Sequence, residues 1–387
     1  MFVYLDNSAT TKPAPEVVSA MTDALTERFG NPSSLYSVGL DAEKLLKAAR
    51  ATVAKTLGAE PEEVYFTSGG TESDNTVLKG VWESRRKQGK RIITTAVEHP
   101  AILRSCEWLE RQGAEVVYVP VKPDGVMDMD AFRAALNDDT VLVSVMHVNN
   151  ETGAVMPLEE IRAELDSRGS SALFHTDAVQ SYGKLPIDVR GLGVDFLSLS
   201  GHKVHGPKGI GALYVKKGVN LPSFVHGGGQ EKGFRSGTEN MPGIAGLGAA
   251  AELLLNGGRE KRLEAMAAAK GRLLTLIKEG IPDIKINGPE DALPAVLNVS
   301  FIGCRGEVLL HMLEQSQIYV STGSACSSHS KGSHVLSAMG LRPEEIEGAV
   351  RFSFCGGNTP QQMDYVFEKL KDAAESQRRL RKAFNRK

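Results

Sequence analysis

Cysteine is scarce in this 387-residue chain, which has four: Cys106, Cys304, Cys326 and Cys355. They are scattered with no close-spaced pair, which argues against a disulfide framework and a cysteine-based zinc site. Sparse, unpaired thiols suit the reducing cytoplasm. Long apolar runs are missing too. No stretch approaches the ~20 apolar residues of a membrane span. Met1 to Asp6 lacks the basic region and apolar run of a secretory signal. Nor does either sign of charge dominate. Lys plus Arg number 45 and Asp plus Glu 47, a formal net charge of -2, whereas a dedicated nucleic-acid surface shows a basic bias. The expectation is a protein that binds neither nucleic acid nor membrane. No internal repeat or low-complexity segment is present.

The length predicts two or three domains at roughly 100–200 residues each, enough to bury a core without metal or disulfide staples. Apolar residues at 41% and charged residues at 24% are ordinary for a globular protein. Glycine, at 40, falls in clusters such as Gly69-Gly70, Gly206 to Gly211 and Gly227 to Gly229. From Val64 to Val215, short apolar strands alternate with helices. That pattern predicts crossover units on a mostly parallel sheet buried on both faces. Ile210 to Val215 is expected as an additional, edge strand. Leu247 to Glu279 is helical apart from a break at Asn256-Gly257-Gly258, and a compact α+β unit follows. The last ten residues hold six basic side chains, which suit a solvated helix end.

In parallel sheets, ligands bind beyond the C-terminal strand ends. After Val64–Phe66 comes Thr67-Ser68-Gly69-Gly70-Thr71, where glycines and a helix start can hold a phosphate or simply form a capped turn. After Arg91–Ala96 comes His99, able to stack on a planar ligand or move protons, or to serve structure alone. Asn149-Asn150-Glu151-Thr152-Gly153 follows Val141–His147, in an Asn-rich turn of a common kind. Asp177 ends the strand from Ala172 and needs a partner if buried, such as a protonated heterocyclic nitrogen; an N-cap is the plainer role. Ser200-Gly201-His202-Lys203 follows Phe196–Leu199. A lysine there can form a Schiff base if desolvated, or can lie on the surface. Together these groups are the ones that hold pyridoxal phosphate: a covalent lysine, an acid for the ring nitrogen and donors for the phosphate.

The chain resembles the class V, fold-type-I pyridoxal-phosphate enzymes, and within them the cysteine desulfurases of the NifS/IscS kind. The resemblance spans nearly the whole length. It rests on Tyr4-Leu5-Asp6-Asn7-Ser8-Ala9-Thr10-Thr11, Gly30-Asn31-Pro32-Ser33-Ser34, Phe66 to Asn75, Asn149 to Gly153 and Ser200-Gly201-His202-Lys203. It implies an α/β fold: a large domain at 13–256 with a mostly parallel seven-stranded sheet, and a small domain of 1–12 and 257–387. It implies pyridoxal 5'-phosphate as cofactor, with Lys203 as the covalent lysine, Asp177 on the pyridine nitrogen, Gln180 on the ring hydroxyl and His99 stacked on the ring. Gly70, Thr71, Ser200 and His202 hold the phosphate, and Asn150 lies near cofactor and substrate. Thr238, in Arg235-Ser236-Gly237-Thr238, reaches the phosphate of a neighbouring subunit, which implies a homodimer. Arg351 clamps the substrate carboxylate.

By the same resemblance Cys326, in Ser321-Thr322-Gly323-Ser324-Ala325-Cys326-Ser327-Ser328, accepts sulfur from L-cysteine, leaving L-alanine. Catalytic roles thus fall to Cys326, Lys203 and His99. Small neighbours suggest an exposed loop at 321–334, and His329, Lys331 and His334 favour the thiolate. The surroundings resemble the long-loop NifS/IscS group rather than SufS. The sulfur then passes to an acceptor protein, an iron–sulfur scaffold or a tRNA-thiolation enzyme. Two departures stand out. Tyr36 replaces a histidine of many relatives, and the loop is shorter by about one residue. The competing expectations are a selenocysteine lyase, another class V aminotransferase-like enzyme, or a non-catalytic scaffold. No role is expected for Cys106, Cys304 or Cys355.

Overall fold

The computed structural model describes residues 1–322 and 332–384. In chain order the first elements are β1 (Val3–Tyr4), α1 (Pro15–Thr26), α2 (Ser37–Leu57), β2 (Val64–Thr67), α3 (Gly70–Arg85), β3 (Arg91–Thr95) and α4 (Pro100–Glu110). Next come β4 (Glu115–Val119), α5 (Met129–Ala135), β5 (Thr140–Ser144), α6 (Leu158–Ser167), β6 (Leu173–Asp177), β7 (Phe196–Ser200) and β8 (Gly211–Val215). The rest comprises α7 (Met241–Glu252), α8 (Gly258–Gly280), β9 (Ile284–Asn287), β10 (Val296–Phe301), α9 (Gly306–Glu314), β11 (Ile318–Tyr319), α10 (His334–Ala338), α11 (Pro343–Glu347), β12 (Ala349–Ser353) and α12 (Pro360–Phe384).

Seven strands form one sheet in the order β2-β8-β7-β6-β5-β3-β4. The run from β7 to β4 is parallel. Successive residues of these strands point to opposite faces, as pleating requires. Ile92, Leu142, Leu173 and Phe196 join the core under α3 and α4. Ile93, Val143, Phe174 and Leu197 join the larger core with α2, α6 and α7. Both faces are therefore covered, which explains strands without polar alternation.

The placement of β8 corrects the expectation of an edge strand. It runs antiparallel between β2 and β7, and all five of its residues are buried. A fully buried edge would leave a row of backbone groups unpaired. The short strand β2 satisfies that row and becomes the edge itself.

A second core lies under the antiparallel sheet β12-β10-β9, packed by α8, α9 and α12. Val3 and Leu5 are buried in this core, far in sequence from its other members. They are placed there by the parallel pairing of β1 with β11 and by a bridge from Asp6 to Ser353. The N-terminal arm thus runs from the second core toward the C-terminal ends of the large sheet. Among the described residues, no helix is long and apolar enough to cross a membrane.

Candidate active site

The C-terminal ends of β2, β3, β5, β6 and β7 border one cavity of about 350 Å³. The structure brings Gly70, Thr71, His99, Asn150, Asp177, Gln180, Ser200, His202, Lys203 and Arg351 together in its lining. Thr238 is exposed and lies outside this lining. Cys326 falls outside the described residues.

One end of the cavity is shaped for an anion. Gly69 caps α3 with φ 153°, and no side chain occupies the first turn as a cap. The amides and dipole of a helix N-terminus favour negative charge. Side chains are excluded by contact. A Cβ on Gly70 would lie 2.6 Å from Val179 Cγ2, and one on Gly211 would lie 2.5 Å from the Leu199 carbonyl oxygen and 2.7 Å from Gly69 Cα. Ser200 and His202 line the opposite side, and Lys208 borders an adjoining depression with them. His202 is hydrogen-bonded to Thr10 Oγ1 at 3.2 Å. Burial first, then Lys203 and Lys208, lowers its pKa to about 4.

The other end carries the acid. Asp177 is buried at the tip of β6, and its Oδ1 accepts the Val179 N–H at 2.8 Å. Burial raises its pKa, while His99 and Lys203 pull the other way. Asp74, on α3, lies buried beside it with Oδ1 lacking a hydrogen-bond partner. Burial and the nearby Asp177 hold Asp74 well above the usual carboxylate range. Two carboxyls this buried cannot both carry charge cheaply. We assign the proton to Asp74, because Asp177 faces the Lys203 ammonium and no cation among the described residues faces Asp74.

Lys203 follows β7 in a short helical turn. Its Nζ donates to the carbonyls of Ser8 and Ala9, the latter at 2.8 Å. The Ser8 carbonyl also accepts Gln180 Nε2 at 3.0 Å. Lys184, fully buried behind, donates to the Gln180 carbonyl at 2.9 Å and to its Oε1 at 3.3 Å. These bonds fix which way the Gln180 amide faces. Burial, reinforced by Lys203, lowers the Lys184 pKa to about 7.

His99 is the N-cap of α4, and its Nδ1 accepts the Ala101 N–H at 3.1 Å. A backbone N–H can only donate, so the neutral ring carries its proton on Nε2. Burial lowers the His99 pKa; Asp177 opposes this, and Lys203 and His334 add to it. The ring therefore offers a flat neutral face and one N–H. The two adjacent amides divide their work. Asn149 Oδ1 accepts the Glu151 and Thr152 N–H groups at 2.9 and 3.0 Å and so builds the turn. Asn150 lines the cavity.

Several lining residues received no role from sequence reasoning. Ser8 and Ala9 act through backbone carbonyls, which no side-chain pattern reveals. Asp6, which is outside the lining, pairs with Arg351 across 345 positions of sequence. Glu151 is buried, bonded to the Ser333 hydroxyl, and raised to about 7 by burial. Burial also pushes up the thiols of Cys106, Cys304 and Cys355, so none of these resembles an activated nucleophile.

The aminotransferase class-V family model matches residues 3–366. Cysteine desulfurase IscS of Clostridium botulinum is 46% identical over 382 residues, covering 98% of this chain and 96% of its own. Cysteine desulfurase IscS of Methanosarcina thermophila is 47% identical over 381 residues, covering 98% and 93%. Among solved structures, a NifS-like protein has a TM-score of 0.90 at 39% identity, covering 96% of this chain and 99% of its own. SspA, solved in complex with cysteine, has a TM-score of 0.81 at 37% identity, covering 91% and 98%. The match runs through both cores and every cavity-lining segment, and the chain belongs to the aminotransferase class-V family.

Proposed function

We propose that the protein is a pyridoxal-phosphate-dependent cysteine desulfurase, converting L-cysteine to L-alanine and carrying the sulfur as a persulfide on Cys326. The observation that carries this reading is the convergence of Lys203, Asp177, His99 and Arg351 on one cavity, in a chain akin to named desulfurases over its full length.

The donor set fits the cofactor. The glycine-lined start of α3, with Thr71, Ser200 and His202, suits the phosphate. Asp177, buried and facing Lys203 and His99, suits a protonated ring nitrogen. Gln180 suits the ring hydroxyl, and the flat His99 ring suits stacking. When bound, pyridoxal phosphate draws electrons from the Cα of an amino acid attached to it. The chain's residues supply the rest. Lys203 would hold the group covalently and would move the proton at the substrate Cα. Arg351 binds the substrate carboxylate in a fork, with Asn150 beside it. His99 donates from Nε2 while its bond to Ala101 keeps the ring uncharged. The Cys326 thiolate attacks the substrate sulfur. The new S–S bond forms as the Cβ–S bond breaks, and a proton added at Cβ and one returned to Cα complete alanine.

Two domains border the site in this reading: 13–256, and 1–12 with 257–387, the latter bringing Asp6, Ser8, Ala9, Ser333 and Arg351. The protein works as a homodimer in the cytoplasm. Leu25, Phe29, Leu35 and Tyr36 are 62%, 68%, 95% and 64% exposed on and between α1 and α2, an apolar surface that a second copy would cover. Thr238, exposed, would then reach the partner's phosphate site. An iron–sulfur scaffold or a tRNA-thiolation enzyme receives the sulfur.

Incubation of purified holoenzyme with L-cysteine tests the reading: alanine and protein-bound persulfide should form together. Cys326→Ser should keep the cofactor's absorption and lose the persulfide. Alanine only from selenocysteine, or keto-acid-dependent amine transfer without alanine from cysteine, would replace this reading with selenocysteine lysis or amino transfer.

A further inference from the structure

We infer that Asp6 is the positioning residue that presents the Arg351 guanidinium to the carboxylate of the amino-acid substrate, an inference that rests on the function proposed above. Arg351 lies mid-strand on β12, 5% exposed, in the cavity wall. Its nitrogens are held unequally. Nη2 donates to Asp6 Oδ1 at 2.7 Å, and Nη1 donates to the Asn150 carbonyl at 3.1 Å. Nε is buried with no partner among the described residues. The guanidinium is a rigid planar fork with more N–H groups than these two anchors use. Two anchors from different parts of the chain therefore set its plane and leave donors for a ligand. A buried donor without an acceptor is unfavourable, and an incoming carboxylate supplies the missing one.

Asp6 is itself placed with respect to Arg351. It bridges to Ser353, two residues along the same strand β12. The Ser8 N–H donates to Ser353 Oγ at 2.9 Å, and Asn7 Nδ2 donates to the Ser353 carbonyl at 2.8 Å. The arm and the arginine strand are thus fastened at adjoining points, so the Asp6 carboxylate has little freedom to wander. Glu151, an acid of the cavity lining near Arg351, has its Oε2 engaged by the Ser333 hydroxyl.

Asp6 could act on the substrate in two opposed ways. As an anchor it holds a long side chain in one rotamer, so binding a carboxylate costs little further ordering. As an anion it competes for the same cation. It engages Nη2 alone, and its side chain is 22% exposed, so solvent screens the competition. Orientation is therefore the larger effect.

The test is equilibrium binding to the holoenzyme of L-alanine and L-alanine methyl ester, which lacks the carboxylate charge, followed by calorimetry. Wild type should hold L-alanine more tightly than the ester. Asp6→Ala should weaken L-alanine by about tenfold while leaving the ester within about twofold. Asp6→Asn, which keeps an acceptor oxygen and the arm's packing, should show a smaller loss confined to L-alanine. Asp6→Glu should restore part of the discrimination. A loss of both ligands in parallel in Asp6→Ala or Asp6→Asn would reduce Asp6 to a structural residue and overturn the inference. So would binding of L-alanine by Asp6→Ala as tightly as by wild type, or wild type holding both ligands equally. Failure to form alanine from cysteine would count against the proposed function alone, since these affinities are measured without turnover.

Discussion

Glu98 is fully buried beside the cavity, yet it is a carboxyl. Both of its oxygens accept the Met146 N–H at 3.0 Å, and Oε1 accepts the Thr95 hydroxyl at 2.7 Å. Burial pushes its pKa up to about 8, against the backbone and hydroxyl bonds that favour the anion. The folded value thus lies above that of an unfolded glutamate, ~4.3. Its contribution to stability is full below the unfolded value, declines as the pH climbs, and is gone once the pH passes through about 8. Glu98→Gln should flatten the fall in unfolding free energy between pH 5 and pH 8 by an amount on the order of a few kcal/mol, read by denaturant unfolding at each pH. An identical pH slope in both proteins would show that Glu98 does not titrate in that window. Lys203, the lysine proposed to attach the cofactor, gives a simpler expectation. Lys203→Ala should abolish the absorption of a covalently held cofactor and reduce alanine formation by at least ~1000-fold, measured by spectroscopy and amino-acid analysis.

The start of α3 depends on backbone approaching backbone. At Gly211, on β8, any side chain would press against the Leu199 carbonyl and the Gly69 backbone, neither of which can rotate away. Gly211→Ala should therefore destabilise the fold by about 1–3 kcal/mol and weaken cofactor retention, read as a lower melting temperature and faster loss of cofactor on dialysis. Unchanged stability and retention would show that the contact can relax.

That the cavity's polar groups gather at the strand ends is legible in the sequence. Gly69-Gly70-Thr71 between an apolar strand and a helix already suggested an anion site, and Asp177, His99 and Lys203 stood out as polar groups following buried strands. What was not legible has physical causes. The position of β8 depends on which neighbour satisfies its backbone, a property of the assembled sheet. Lys203 is held by carbonyls of Ser8 and Ala9, groups common to every residue. The Asp6–Arg351 pair joins opposite ends of the chain, which the pairing of β1 with β11 and the Asp6–Ser353 bridge to β12 bring together.

The cavity forms where two hydrophobic cores meet, with catalytic groups drawn from both. The large sheet supplies Lys203, Asp177 and the glycine-lined start of α3, which in the proposed function would hold the cofactor; the N-terminal arm and β12 supply the Ser8 and Ala9 carbonyls and Arg351. Misplacing one core relative to the other should therefore impair substrate binding before it impairs the phosphate site. Assembly adds a further dependence if the apolar surface of α1 and α2 is shared between copies. A Leu35→Glu, Tyr36→Glu double variant should shift the protein toward monomer in sedimentation and lower cofactor affinity with it, because Thr238 would no longer reach a neighbour's site. A variant that stays dimeric would place the contact elsewhere.

The most direct trial is the intact mass of the holoenzyme before and after brief exposure to L-cysteine, with peptide mapping of the product. One added sulfur on Cys326, matched by L-alanine released and absent from Cys326→Ser, is the predicted result. Alanine released with that thiol unmodified, or sulfur mapped to Cys355, would contradict it.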